Sequence, residues 1–223
     1  MTVSKVVIFG LSGHAKVIVD IIESIPSLQI IGFIDNVSPA GTNFLGDYKV
    51  IGDETLLPKL MEKYDFYQGV IGIGDNFLRS KVANNVNQIA PDLQFINCIH
   101  ESANISNYAK LGVGNVVMPG VTVNSSSVIA NHCILNTNSA LEHDCHMNDF
   151  ACLAPNATVG GNSTIGKLSY VGIGASVFHS ISVGDNCIIG GGSVVNRNTQ
   201  TNSVYHGTPA KFISNHQLGD KYL

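Results

Sequence analysis

The 223-residue sequence predicts two domains of different class, an α/β domain over residues 1–100 and an all-β solenoid over residues 101–223. In the first hundred residues, apolar runs of strand length alternate with amphipathic stretches of helix length. Beyond residue 100 the apolar positions recur every six residues, a period that no helix satisfies. A composition of 44% hydrophobic and 13% charged residues indicates a globular protein with a substantial core.

The amino-terminal elements follow one another in strand–helix order. We predict strands at 5–10, 29–35, 69–75 and 94–100, and helices at 13–25, 55–64 and 76–89. The segment rich in Gly, Pro and Asn between residues 36 and 54 is expected to be a loop. Alternation of this kind implies a parallel sheet covered by helices on both faces, a small Rossmann-like domain.

The six-residue period of the second half is unbroken. Sixteen consecutive positions are aliphatic or Met: Ile105, Leu111, Val117, Val123, Ile129, Leu135, Leu141, Met147, Leu153, Val159, Ile165, Val171, Val177, Val183, Ile189 and Val195. Four residues after most of them stands a small side chain, the exceptions being Asn115, Val121 and Ile181. This pattern resembles the hexapeptide repeat of left-handed parallel β-helices, in which three six-residue sides make one coil. Coils stack about 4.8 Å apart, and the repeat by itself implies no chemistry.

Composition excludes several functions. A net charge of −4 and a pI near 6.0 argue against binding of nucleic acid. There is no apolar run long enough to span a membrane and no secretory leader, so we expect a cytoplasmic protein without membrane insertion. Five cysteines without a CxxC pair indicate reduced thiols rather than disulfides or a zinc site.

The loop FGLSGHAKV joins the first strand to the first helix. Gly10 and Gly13 permit a sharp turn, and the helix amino terminus behind Ser12 and His14 favours a phosphate. The loop is not GxGxxG, so a mononucleotide fits better than a dinucleotide. The alternative is a glycine turn that serves packing alone.

Two further strand ends carry polar residues. Asp35 and Asn36 follow the second strand, and Gly74, Asp75 and Asn76 follow the third. A carboxylate there can accept hydrogen bonds from a ribose or a base, or can merely cap a turn. Because three strand ends converge at one edge of a parallel sheet, we expect a binding crevice there.

The G-x-S-G-H-[AG]-[KRL]-V loop joined to a β-helix resembles the bacterial nucleotide-sugar acetyltransferases, which include a sialic acid O-acetyltransferase branch. The resemblance spans essentially the whole chain and implies a homotrimer, with acetyl-CoA lying in the groove between neighbouring β-helices. It matches Ser12, Gly13 and His14 to the phosphate-side loop and Asp35 to the nucleotide-binding acid. Asn36 stands where many relatives carry a second acid.

The stretch LEHDCH at 141–146 matches the E-H-[ED]-C sequence of this family, which implies that His143 is the catalytic base and Asp144 the acid that orients it. Histidine can accept a proton near neutral pH, and a neighbouring carboxylate fixes its tautomer. Without the resemblance, such a pair is most often a solvated surface feature. Gly161 follows His143 by one 18-residue coil, so its N–H is a candidate oxyanion donor or simply part of a tight corner. His179, one coil further on, is at most part of the cofactor groove.

Further expectations concern one cysteine, Cys152, and the histidines His132, His143 and His146. Cys152 stands where many relatives carry a second histidine, and we expect it to line the cofactor pocket from across a subunit interface. His143 and His146 lack an evident third ligand, so no metal is predicted. His132 is expected at the surface.

Acetyl-CoA is the expected co-substrate, and the glycine-rich late coils are its candidate site. Gly172, Gly174 and Ala175 lie in one of these coils and Gly191 and Gly192 in the next, unless they serve only tight corners. Lys211, in a GTPAK segment resembling the end of many acyltransferase β-helices, is a candidate for contact with a CoA phosphate or else a solvated lysine.

The predicted function is acetyl-CoA-dependent N-acetylation of the 4-amino group of a nucleotide-linked 4-amino-4,6-dideoxysugar in bacterial surface-glycan synthesis, with UDP the favoured nucleotide. One alternative is O-acetylation of sialic acid or another sugar. Another is a non-catalytic scaffold that binds a nucleotide-sugar.

Overall fold

The computed structural model describes residues 3–222. The chain divides into two compact units, with the division between Cys98 and Ile99. This division falls two residues before the predicted domain boundary.

The first unit is a six-stranded sheet in the order β3-β4-β2-β1-β5-β6. Its strands are β1 Ser4–Phe9, β2 Leu28–Ile34, β3 Asn43–Leu45, β4 Tyr48–Gly52, β5 Gln68–Ile71 and β6 Gln94–Phe95. The helices are α1 Gly13–Glu23, α2 Leu57–Tyr64 and α3 Asn76–Ile89, and a 3-10 turn, Glu54–Leu56, precedes α2. All strand pairs are parallel except β3 with β4.

Side-chain caps fix where two of these helices begin. The Ser12 hydroxyl accepts a hydrogen bond from the His14 amide at the start of α1, and the Asp75 carboxylate accepts one from the Leu78 amide at the start of α3. These bonds satisfy amides that the first turn of a helix leaves without partners. Pro58 lies in the first turn of α2, where its missing N–H costs nothing.

Two predictions for this unit were wrong. The expected loop between residues 36 and 54 contains the hairpin β3–β4, whose turn passes through Gly46 at φ +54°. Its strands are too short for their alternation to be conspicuous, and Phe44 is fixed by a ring contact with Phe33 at 4.8 Å. The expected strand at 94–100 is two strands, of which only Gln94–Phe95 belongs to this sheet.

The second unit is the predicted left-handed parallel β-helix, made of two-residue strands on three faces. The first face contains β7 Cys98–Ile99, β10 Val116–Val117, β13 Ile134–Leu135, β16 Cys152–Leu153, β19 Tyr170–Val171 and β22 Ile188–Ile189. The second contains β8 Asn104–Ile105, β11 Thr122–Val123, β14 Ala140–Leu141, β17 Thr158–Val159, β20 Ser176–Val177 and β23 Val194–Val195. The third contains β9 Lys110–Leu111, β12 Val128–Ile129, β15 His146–Met147, β18 Thr164–Ile165 and β21 Ser182–Val183.

The aliphatic ladder fills the interior of this prism. Leu141, for example, pairs with Val123 before it and Val159 after it, each 18 residues away. Every ladder position from Val117 to Val195 is at most 3% exposed, whereas Ile105 and Leu111 in the first coil are half-buried. Ile99 lies six residues before Ile105, and its strand is the first of the first face.

Hydrogen bonds made at the corners explain why a small residue stands four positions after most ladder positions. The buried Ser169 hydroxyl donates to the Gly184 carbonyl at 2.6 Å and accepts from the Cys187 amide at 2.9 Å. At the equivalent position the Cys133 thiol donates to the Asn148 carbonyl at 3.1 Å. A small donor therefore satisfies backbone groups that the turn would otherwise leave buried without partners.

A hairpin of β24 Ser203–His206 and β25 Lys211–Asn215 extends the first face at its carboxyl end. The five cysteines are buried, and no disulfide joins them. Of the helices in residues 3–222, none is long and apolar enough to cross a membrane.

Candidate active site

His143 and Asp144 lie at the corner between the second and third faces, hereafter the second corner. They were expected on a side of the triangle, but the strands on either side are only two residues long, so the pair falls in the turn. Asp144 has a left-handed backbone with φ +57°. Its Oδ2 lies 2.8 Å from His143 Nδ1, and both side chains are more than half exposed. A carboxylate can only accept here, so Nδ1 donates; in the neutral imidazole Nε2 is then the acceptor.

Gly161 lies directly against the His143 ring. A Cβ placed on Gly161 would stand 2.7 Å from both Cε1 and Nε2 of the imidazole. Backbone hydrogen bonds stack these residues in one column, since the Asn162 amide donates to the His143 carbonyl and the Ser180 amide to that of Gly161. The predicted adjacency of His143 and Gly161 is therefore found, and His179 occupies the next position of the same column.

The Gly161 amide makes no hydrogen bond within residues 3–222. The corner between the third and first faces is different, because side chains one coil later accept from the equivalent amides: Asn131 from Val113, Asp149 from Asn131, and Asp185 from Lys167. The corner between the first and second faces places prolines, without an N–H, at Pro119 and Pro155. The second corner thus presents an amide beside the imidazole to an external acceptor.

The neighbouring side chains hold this corner in place. The Asn124 amide donates to Glu142 Oε2 at 2.7 Å, and the Ser127 hydroxyl donates to the Glu142 carbonyl at 2.6 Å. The Cys145 thiol donates to the Gly160 carbonyl at 3.3 Å, and burial raises its pKa. A buried thiol of raised pKa is a poor nucleophile. Within the described residues no three His, Cys, Asp or Glu side chains cluster as metal ligands would.

The positions expected to meet acetyl-CoA differ in accessibility. Ala175 is fully buried in the inward small-residue column, and its contact with the cofactor stays a prediction. Cys152 lies between Ile134 and Tyr170 on the first face and is only 4% exposed in the single chain. Burial, followed by the effect of Cys152, raises the pKa of Tyr170 to about 12.

Of the candidate glycines, Gly172 is required by packing, because a Cβ there would lie 2.5 Å from the Ile189 carbonyl oxygen. Gly174 and Gly192 have positive φ and open space where a side chain would be, and Gly191 meets only the Ile173 backbone, at 3.2 Å or more. Lys211 is exposed at the start of β25. Gly174, Gly191, Gly192 and Lys211 therefore remain available to a ligand.

The first unit contains a cleft of about 310 Å³ at the carboxyl ends of β1 and β2. Gly10, Asp35 and Asn36 line it, as the sequence predicted. Gly10 has φ +91°, and a Cβ there would stand 2.6 Å from Ile73, so glycine is needed for the close approach. Asp35 Oδ2 accepts from the Val37 and Ser38 amides, the turn-capping alternative, which leaves its second oxygen for a ligand.

In the phosphate-side loop at Ser12, Gly13 and His14, Ser12 is held by hydrogen bonds within the protein. The Ser12 hydroxyl donates to the Gly72 carbonyl at 2.6 Å in addition to capping α1, whereas Gly13 has open space around it. His14 Nε2 is buried and makes no hydrogen bond within the described residues. Burial, together with the Arg79 charge, lowers the pKa of His14 to about 3, so this imidazole is neutral at physiological pH.

The loop after β5 has a structural role. Buried Arg79 donates to the carbonyls of Ile73 and Gly74 and to the side chain of Asn76. Asp75 caps α3 through the Leu78 amide at 2.8 Å. Asn76 is 1% exposed, whereas Gly74 has open space where a side chain would stand and Asp75 is partly exposed.

His132, expected at the surface, is 5% exposed, and that prediction was wrong. It stacks on Phe150 of the next coil, with ring centroids 5.1 Å apart and an interplanar angle of 4°. His132 and Phe150 are 18 residues apart, one full coil, and this spacing could have predicted that they stack.

Comparisons with known proteins agree with both units. Residues 5–86 match the PglD N-terminal domain family. A GDP-perosamine N-acetyltransferase of Escherichia coli O157:H7 is 24% identical over 147 residues, which span 65% of this chain and 62% of that relative. A crystal structure of a mutant of GDP-perosamine N-acetyltransferase from Caulobacter crescentus with CoA and GDP-perosamine is 30% identical and has a TM-score of 0.88. It covers 96% of this chain and 99% of its own.

The chain belongs to the bacterial nucleotide-sugar acetyltransferases of the hexapeptide-repeat type. The acetyltransferase domain of PglB from Neisseria gonorrhoeae, solved with acetyl-CoA, is 28% identical with a TM-score of 0.86, covering 95% of this chain and 100% of its own. Membership confirms the predicted family and enzyme class, and the CoA bound in these solved relatives agrees with the predicted co-substrate.

Sequence inspection missed several residues that line the cleft of this acetyltransferase. Leu78, Lys81 and Asn85 come from one face of α3, and Glu54 comes from the 3-10 turn. The helical spacing of the first three was a signal that could have been used. Glu54 carried none, because only the fold brings it to the strand ends.

Proposed function

We propose that this protein transfers the acetyl group of acetyl-CoA to the 4-amino group of a nucleotide-linked 4-amino-4,6-dideoxysugar. The observation that carries the proposal is the second corner, where the His143–Asp144 pair at 2.8 Å stands against Gly161 and its open amide. The related proteins that act on GDP-perosamine with CoA support an amino sugar as acceptor.

In this mechanism, the sugar amine attacks the thioester carbonyl while His143 Nε2 takes the proton that the nitrogen must lose. Asp144 holds the tautomer and stabilises the imidazolium that forms. The Gly161 N–H donates to the carbonyl oxygen as it becomes negative. When the tetrahedral intermediate collapses, the carbon–sulfur bond breaks, and the thiolate of CoA leaves and recovers the proton from the imidazolium.

The nucleotide part of the substrate is assigned to the cleft of the first unit, and acetyl transfer to the second unit. The sequence favoured UDP, whereas the two relatives above are named for GDP-perosamine. A homotrimer remains part of the proposal, since the family resemblance implies that acetyl-CoA lies between neighbouring chains.

The test compares His143→Ala with His146→Ala, an exposed histidine three residues away on the third face. Thiol release from acetyl-CoA is followed with a nucleotide-linked 4-amino sugar. We expect His143→Ala to lose about 10²–10⁴-fold in kcat, the usual contribution of a general base, and His146→Ala to keep wild-type turnover.

Nucleotide binding by His143→Ala should be unchanged, which separates the mechanism from misfolding. Wild-type turnover by His143→Ala would contradict the mechanism. Acetylation of hydroxyl sugars but not amino sugars would favour the O-acetyltransferase alternative, and nucleotide-sugar binding without any transfer would favour a scaffold.

A further inference from the structure

The cleft of the first unit contains a buried carboxylate that the proposed catalytic mechanism does not use. Glu54 is 7% exposed and lines the cleft together with Asn36, Lys81 and Asn85. It stands in the 3-10 turn, far in sequence from the other strand-end residues. A carboxylate in such a position is costly unless donors surround it.

The protein supplies too few hydrogen-bond donors to satisfy the carboxylate of Glu54. Its Oε2 accepts from the Asn85 side chain at a long 3.4 Å, and its Oε1 makes no hydrogen bond within residues 3–222. A charged carboxylate can accept about four hydrogen bonds through its two oxygens. The protein alone therefore leaves most of this capacity unused, on an acid that faces the cleft.

Asn36 defines the chemistry next to that acid. Its Oδ1 accepts from the Glu54 backbone amide at 3.1 Å, and because an amide N–H can only donate, the other end of the side chain must be the NH₂ group. The cleft therefore offers an amide donor from Asn36 next to the carboxylate acceptor of Glu54.

We propose that Glu54 and Asn36 recognise guanine, so that the nucleotide held in the cleft is a guanosine diphosphate. This inference rests on the proposed function and names its nucleotide. One edge of guanine presents a carbonyl oxygen, a ring N–H and an amino group in sequence. The ring N–H and amino group match the two oxygens of Glu54, and the carbonyl oxygen matches the amide of Asn36.

The other bases match this arrangement less well. Uracil and thymine present one N–H between two carbonyl oxygens, so one of these oxygens would face the Glu54 carboxylate without a shared proton. Adenine presents a ring acceptor where guanine has its N–H. Apolar surface for the faces of the base comes from Val37, which is 92% exposed, and Leu78, which is 51% exposed.

The test measures binding of GDP, IDP and UDP to the full chain by isothermal titration calorimetry. IDP lacks only the amino group of guanine, so it removes one of the two bonds to Glu54. We expect affinity to fall in the order GDP, IDP, UDP, with GDP at least about ten-fold tighter than UDP, the discrimination that one good bidentate contact provides.

The variant Glu54→Gln keeps the shape of the side chain but cannot accept two bonds from the base. We expect it to bind GDP about 10- to 100-fold more weakly and UDP within about two-fold of wild type. Glu62→Gln, an exposed acid on α2, removes the same charge outside this cleft and should change neither affinity. A thermal unfolding midpoint equal to that of wild type would show that Glu54→Gln is folded. The order of the GDP, IDP and UDP affinities is measured on the wild-type protein and does not depend on any variant.

The proposal is overturned if wild-type protein binds UDP as tightly as GDP, or if Glu54→Gln keeps the GDP preference. Thiol release then separates it from the proposed function. Acetylation of a UDP-linked amino sugar but not its GDP counterpart would sustain the transferase and reject guanine. Strong GDP binding without acetyl transfer to either sugar would sustain guanine recognition and reject the transferase.

Discussion

Gly161 occupies a place in its column where a side chain would collide with the His143 imidazole. Its φ lies outside the left-handed region, so backbone conformation alone does not require glycine there. The requirement is space, both for the imidazole and for an acyl group approaching the open amide. The absence of a side chain at Gly161 therefore matters to the geometry of this corner as much as the presence of His143.

Gly161→Ala tests that requirement. The added methyl would push the exposed imidazole aside at little cost to the fold, since the end of the His143 side chain is free to move. We expect kcat to fall by about 100-fold or more, as for loss of a general base, with a thermal midpoint within about 2 °C of wild type. Steady-state thiol release and circular dichroism check this, and an active Gly161→Ala would show that the imidazole position is not critical.

The corner is the element on which the prism depends. The corners join strands of only two residues, and most of them turn the chain with a left-handed residue followed by a small inward one. At Ser169 the hydroxyl serves as both donor and acceptor between coils. Serine and cysteine exchange along this column because either can donate to the carbonyl of the next coil.

Ser169→Ala should therefore destabilise the β-helix, because it leaves the Gly184 carbonyl and the Cys187 amide without this partner in a buried site. We expect a loss of about 1–3 kcal/mol in the free energy of unfolding, measured by urea denaturation. Ser169→Cys is the matched control, since Cys133, Cys145 and Cys187 occupy equivalent positions, and it should cost less. Equal losses for the two variants would contradict the hydrogen-bonding explanation.

On the scale of the whole molecule, the β-helix exposes large apolar side chains on its outer surface. Tyr108, Val113, Ile173 and Phe178 are each at least half exposed in the single chain. Neighbouring chains would cover some of these side chains if the protein forms the homotrimer that the family resemblance implies.

We expect sedimentation equilibrium to give a species three times the mass of the 23.7 kDa chain. If acetyl-CoA lies between neighbouring chains, specific activity should fall when the protein is diluted until the trimer dissociates. A monomer with full activity at all concentrations would reject the shared site while leaving the chemistry of His143 intact.

The prism and the adjacency of its central residues were available from the sequence, because a six-residue step repeats a local geometry. Once each coil has 18 residues, the position of Gly161 beside His143 follows from counting, and the buried ladder from Val117 to Val195 was predicted position by position. The same count would have placed His132 against Phe150.

The cleft was predictable only in part. Gly10, Asp35 and Asn36 could be expected at converging strand ends, since parallel strands deliver their carboxyl ends to one edge. The hairpin β3–β4 could not, because its strands are too short to show a clear alternation. The place of Glu54 could not, because it depends on contacts between segments that are distant in sequence. Repetition fixed the β-helix locally, whereas only the folded chain brought the buried Glu54 to the cleft of the first unit.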